Sequence, residues 1–151
     1  MSESKDFQEG LKFFLNKDYT SAEKYFRKAA EEGDPEAQFC LGDMYNHGYG
    51  VNKNERKALA LFRKSAEQRF APSQINLGIM YSQGQGVEQD LVEAYKWLHI
   101  AGRAVDEEGA ELAVDEEGRD LLSVVEEHMT EGQIEEAMRR SSAWMRAKQL
   151  M

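Results

Sequence analysis

Few residues in this chain have the types and spacing to do chemistry. His47, His99 and His128 could each carry a proton near neutral pH. They are widely separated, and no two stand at i, i+4, so no helical pair of bases or ligands results. Cys40 is the sole cysteine. It cannot form an internal disulfide, and no basic neighbour in sequence lowers its pKa, so it reads as a small hydrophobe rather than a nucleophile. No Cys/His cluster has zinc spacing. Asp106-Glu107-Glu108-Gly109 does not space its oxygens as a calcium loop does. Gly48-Tyr49-Gly50 and Gly84-Gln85-Gly86 lack the Lys-Ser/Thr that completes a phosphate loop. Trp97 and Trp144 read as packing residues. The expectation is therefore a chain that is not an enzyme, with no catalytic residue, no metal ligand and no cofactor. Binding is the remaining route to function.

The elements that would position a binding surface come from an internal repeat. Leu41-Gly42 recurs as Leu77-Gly78, 36 residues on. In the same register Gln38 matches Gln74, Met44-Tyr45 matches Met80-Tyr81, Gly50-Val51 matches Gly86-Val87, and Ala58 matches Ala94. Leu, Gly and Tyr at i, i+1, i+4 share one helical face. A glycine inside a helix costs about 1 kcal/mol against Ala, so Gly42 and Gly78 imply a second helix crossing closely, with Ala58 and Ala94 as its small partners. Gly-x-Gly-Val ends the first helix, and Asn54 or Asp90 caps the second. The segment before this pair follows the same logic. Phe26-Arg27-Lys28 lies 36 before Phe62-Arg63-Lys64, but Gly10 precedes Ala22 by 12 where Gly42 precedes Ala58 by 16, so its loop is about four residues shorter. Asp34-Pro35 and Ala71-Pro72 mark helix starts.

The stretch from Ala37 through Leu41-Gly42, Tyr45, Gly48-Tyr49-Gly50-Val51 and Asn54 to Lys57-Ala58 resembles the Sel-one-like repeat (SLR), a relative of the tetratricopeptide repeat. Ser73 to Trp97 matches again, and the 12-residue Gly10–Ala22 spacing is similar to the tetratricopeptide version. Arg69 departs from the pattern, standing where the family usually has the glycine that follows the second helix; Gly33 fills that place one unit earlier. The resemblance implies an all-α, right-handed α-α superhelix (solenoid) of antiparallel helix pairs. It also implies adaptor or scaffold roles in bacterial regulation, signalling or host interaction.

Beyond residue 103 the register breaks. Ala104-Val105-Asp106-Glu107-Glu108-Gly109 recurs word for word at Ala113 to Gly118. Nine residues turn a helix to its opposite side, so the two copies cannot face one core, and one copy reads as an insertion. A degenerate pair follows. Leu121, Leu122, Val124 and Val125 lie on its first helix. Thr130-Glu131-Gly132-Gln133 forms a capping box for the last, with Ile134, Ala137, Met138, Ser141 and Met145 on one stripe and Trp144 beside it. The expected organisation is one repeat domain over residues 1–151. Within it lie a tetratricopeptide-like unit at 5–33, SLR units at 34–69 and 70–103, the duplicated insertion at 104–118 and a capping pair at 119–151.

Composition bounds the partner. The 151 residues are 41% hydrophobic and 31% charged, with a net charge of −9. That suits a folded, soluble, α-rich protein, and it disfavours nucleic acid and anionic membrane as partners. The charge is uneven: 15 acidic and 14 basic residues up to position 103, then 13 and 5. The acidic third reads as a solvated cap or as a docking face for a basic partner. Met1 to Asp6 offers no apolar h-region, and no run of about 18 apolar residues occurs, so a monomeric cytoplasmic protein is expected.

In tetratricopeptide-like solenoids the first helix of each unit lines the concave side. Residues at fixed offsets from its glycine lie off the repeat core: Phe7 and Leu11, Phe39 and Asp43, Ile75 and Ile79. Asn46, His47, Ser82 and Gln83 add polar contacts lower on these helices. This strip is the expected site for a protein or peptide partner, unless the terminal helices fold over it. A chaperone-like carrier of a basic client and a hydrolase built on the repeats are the competing functions.

Overall fold

The computed structural model describes residues 4–104 and 119–149. The duplicated segment lies outside them, apart from Ala104 at a helix end. The described residues are all-helical: α1 (Lys5–Leu15), α2 (Tyr19–Glu31), α3 (Pro35–His47), α4 (Glu55–Glu67), α5 (Ala71–Gln83), α6 (Leu91–Ala104), α7 (Leu121–Glu126) and α8 (Glu131–Gln149). They fall into two compact units, Met1–Ser73 and Gln74–Met151.

The helices start where capping side chains stand. Asp34 Oδ1 accepts from the Glu36 and Ala37 backbone N–H at 2.9 and 3.3 Å, with Pro35 as the first helical residue. Asn54 accepts from Lys57 N at 3.1 Å and Asp90 from Glu93 N at 3.1 Å. In the box that opens α8, Thr130 N donates to Gln133 Oε1 at 2.9 Å and Gln133 N donates to Thr130 Oγ1 at 3.1 Å. Each of these satisfies a first-turn donor that would otherwise have no partner.

In the first unit α2 packs on α1 and α3, and α3 packs on α4. Phe26 and Phe62 are fully buried among Ala22, Ala29, Ala37, Ala58, Ala66 and Met44. Gly42 shows why the repeat needs its glycine. A Cβ there would lie 2.9–3.2 Å from the Phe62 ring. Ala58 was expected at this crossing; the atoms nearest to an added Cβ are those of the ring one turn further along α4, while at Gly78 the Ala94 carbonyl oxygen lies 3.3 Å away. The small alanine lets the helices close, and the glycine receives the large side chain that follows. Gly50 combines a close approach with a left-handed backbone: its φ is 69°, and a Cβ would meet Tyr19 Cβ at 2.6 Å. Gln38 is also accounted for. Its buried amide donates to Ala30 O at 3.2 Å, near the C-terminus of α2, and its carbonyl accepts from Gln68 Nε2 at 2.8 Å.

Two non-glycine residues hold positive φ, Lys17 at 62° and Arg69 at 68°. Gly33 takes the place of Arg69 one unit earlier, at φ 95°. The left-handed region costs an L-residue about 1–2 kcal/mol, offset in part by the chain entropy that glycine loses on folding. Lys17→Gly and Arg69→Gly are therefore each expected to raise the urea-unfolding free energy, by about 0.5–1 kcal/mol. Unchanged midpoints would show that neither position is strained.

The second unit is organised around α6. Trp97, Ala101, Ala137 and Ser141 are fully buried, and Leu98, Ile100 and Val125 nearly so. Leu98 meets Gly78 as Phe62 meets Gly42. Arg140 Nη1 reaches Glu93 at 3.3 Å, and Lys96 Nζ reaches the same carboxylate at 3.1 Å. The stripe expected on α8 is narrower than its sequence suggests. Ala137 and Ser141 are buried, Ile134 and Met145 are half-buried, and Met138 is exposed. The inward row runs 137, 141, 144, and Met138 is turned about 100° from it.

Candidate functional site

The expected strip runs along the first helix of each pair, and the structure divides it. On α1, Phe7 is 3% exposed, its ring 5.8 Å from that of Phe26. On α5, Ile75 is 3% exposed, because this helix buries a wide arc of residues 73, 74, 75, 77, 78, 80 and 81. Phe7 and Ile75 therefore belong to the core, correcting the expectation that they lie off it. Phe39 is half-buried between the rings of Phe62 and Phe70, at 5.8 and 5.6 Å. Leu11, Asp43, Asn46, Ile79 and Ser82 are half-buried, and His47 and Gln83 are exposed.

What stays accessible in the first unit gathers where α1 and α3 end. Leu15 is 79% exposed and Tyr49 is 38% exposed. Tyr49 stacks on Tyr19 at 5.3 Å, and the Phe14 ring lies 5.2 Å from that of Tyr19. His47 lies 5.4 Å from the Tyr49 ring and places Nε2 3.2 Å from Asp43 Oδ1, a charged pair when the imidazole is protonated. Burial raises the Asp43 carboxyl above its ordinary range, and His47 partly offsets this. The result is an apolar, aromatic platform with a polar edge of Asp43, Asn46 and His47. Leu15 and Phe14 were missed from sequence. Aligning Gly10 on Gly42 puts Leu15 at the position of His47 and Phe14 at that of Asn46, and that register was the available signal.

Two of the groups that could do chemistry, Cys40 and His99, are tied into the fold. Burial first, then the Asp43, Glu36 and Asp34 carboxylates, push the Cys40 thiol up to about 12, so little thiolate forms near neutral pH. His99 Nδ1 lies 2.7 Å from Ser141 Oγ, joining α6 to α8, and its ring stacks on Tyr95. No group of three or more His, Cys, Asp or Glu stands close enough to hold a metal among the described residues.

His99 gives a pH dependence with a definite sign. Burial, then Arg103, lower its pKa from the ordinary 6.5. The unfolded chain therefore takes up the proton first as pH falls. The stability this group contributes is complete above pH about 6.5, declines below it, and stops changing once pH passes the folded value. Urea unfolding at pH 7.5 and 5.5 should show a larger loss for the native chain than for His99→Gln. Equal losses would place His99 in an environment like that of the unfolded chain.

Comparison with known proteins follows the same repeats. A Sel1 repeat family model matches residues 4–34, 35–70 and 71–106. Among solved structures the chain is similar to a protective antigen present in uropathogenic Escherichia coli strains that displays an SLR fold. The two are 30% identical, the match covering 97% of this chain and 32% of that one, with a TM-score of 0.79. It is similar to a Sel1 repeat protein from Oxalobacter formigenes, at 29% identity over 71% of this chain and 47% of that one, TM-score 0.63. It is also similar to Helicobacter pylori cysteine rich protein B, at 28% identity over 58% and 66%, TM-score 0.55. The chain spans about a third of the length of the first and about half of the second. Among curated proteins none matches. Among the described residues no helix is long and apolar enough to cross a membrane.

Proposed function

The chain belongs to the Sel1 repeat family, whose members are generally protein-interaction modules and non-catalytic, and on that premise we propose that it is a non-catalytic adaptor, in bacterial regulation or signalling, that holds a protein or peptide partner on its first helices. The three solved relatives above come from bacteria, which supports that setting. A cytoplasmic monomer is the form we assign to it. The observation that carries the reading is the platform at the ends of α1 and α3, where Leu15, the last residue of α1, stands 79% exposed and Tyr49 stands 38% exposed against the Tyr19 and Phe14 rings. Apolar and aromatic groups left in water favour association. Burying the Leu15 side chain contributes roughly 1.5–3 kcal/mol, and Asn46, His47 and Asp43 supply hydrogen bonds at the edge. Leu11 lies one turn before Leu15 on α1 and Phe39 two turns before His47 on α3, and Ile79, Ser82 and Gln83 form the corresponding row on α5.

Photo-crosslinking in cells tests this. A benzophenone residue at position 15 or 47 should capture one and the same protein, while position 139 on α8 should not. With the benzophenone residue at position 47, Leu15→Asp should abolish capture and leave the melting temperature nearly unchanged, since that side chain is exposed. Equal capture from position 139 would sink the assignment.

A further inference from the structure

A second surface in the first unit carries a different chemistry. Between α2, α3 and α4 lies an open groove of about 180 Å³, lined by Arg27, Ala30, Glu31, Leu41, Tyr45, Lys57, Leu61 and Lys64. Its floor is apolar, formed by the buried Leu41 and the half-buried Tyr45 and Leu61. Its rim is cationic. Lys57 Nζ sits 4.5 Å from the centre of the Tyr45 ring, and the Arg27 guanidinium stands 3.7 Å from Glu23. Lys64 completes three cations against the single carboxylate of Glu31 on the lining.

We propose that this groove binds a short acidic segment of a partner protein, an aliphatic side chain on the Leu41–Tyr45–Leu61 floor and flanking carboxylates on Arg27, Lys57 and Lys64. The volume decides against a small-molecule pocket, which usually occupies about 300–1,000 Å³, and fits one side chain. Charge complementarity decides the partner. The rim is basic within a chain of net charge −9, which repels an extended polyanion while a local pair of carboxylates meets Lys57 and Lys64 and competes with Glu23 for Arg27.

The repeat sharpens the assignment. Thirty-six residues on, Lys57, Leu61 and Lys64 become Glu93, Trp97 and Ile100. Trp97 and Ile100 are buried, and Glu93 is held by Lys96 and Arg140. Those positions serve packing and ion pairing in the second unit, whereas Lys57 and Lys64 in the first are exposed and positive. None of the groove residues belongs to the platform at the ends of α1 and α3, so the two surfaces can be tested apart.

The probe is a fluorescein-labelled Asp-Glu-Leu-Glu-Asp peptide titrated into the full chain and read by anisotropy, with Asn-Gln-Leu-Gln-Asn as the neutral control. The acidic peptide should bind, weaken as salt rises, and lose about two- to fivefold in affinity with each of Arg27→Glu, Lys57→Glu and Lys64→Glu. The Leu15→Asp variant should bind it unchanged. If a charge-reversed chain fails to fold, Lys64→Gln and Arg27→Gln carry the test. Four results would overturn the proposal: no binding at millimolar peptide, equal binding of the neutral peptide, unchanged affinity in the charge-reversed chains, or full competition by inorganic phosphate or single-stranded DNA at matched ionic strength. Loss of peptide binding only in the Leu15→Asp variant would also overturn it, while leaving the platform standing.

Discussion

Trp97→Ala is expected to remove about 3–5 kcal/mol of unfolding free energy. Trp97 is the largest of the fully buried side chains. Its ring meets Trp144 edge to face at 5.6 Å, and Lys96 Nζ lies 4.4 Å from its centre. The Trp144 contact ties α6 to α8. Its Nε1 is buried and meets no acceptor among the described residues, so the loss reflects volume and ring contact rather than a broken hydrogen bond. Trp97→Phe should therefore cost clearly less, because the smaller ring still fills part of the space. The loss should appear in urea titrations followed by circular dichroism. Trp144, the remaining tryptophan, should show red-shifted emission in the folded variant as its partner face opens to water. A change under about 1 kcal/mol would mean that α8 is not held through Trp97.

Much of this arrangement is legible in the sequence, for a physical reason. Each helix pair reuses the same crossing, so Gly42 and Gly78 recur with the aromatic or leucine that fills them. The caps Asp34, Asn54, Asp90 and Thr130 act through bonds two or three residues away, which spacing alone reveals. Burial on the first helices is less legible. A periodic pattern suggests one buried face, but α3 packs on both α2 and α4, and Phe39 is caught between Phe62 and Phe70. The same widening of the buried arc takes Ile75 out of the surface. The basic groove was invisible because Arg27, Lys57 and Lys64 are up to 37 positions apart. They converge only when α2 and α4 close over α3, and a search for apolar stripes passes over them.

The crossing at Gly42 supports a prediction whose sign depends on its background. Phe62→Ala should destabilise by about 3–5 kcal/mol, since a fully buried ring is removed from a packed first unit. Gly42→Ala alone should destabilise by about 1–3 kcal/mol. The new methyl would sit 2.9 Å from Phe62 Cε1, and a ring that is fully buried has nowhere to retreat. Without that clash the substitution would favour the helix, because alanine is the better helix former by about 1 kcal/mol. In the Phe62→Ala background the ring is gone, so Gly42→Ala should become neutral or stabilising. The double-mutant cycle should then return a coupling energy of about 2 kcal/mol. The measurement is urea unfolding of the four chains. Additive effects would show that the glycine is kept for some reason other than the ring. Coupling would show that the repeat motif is a matched pair, a missing side chain on one helix and a large one on the next.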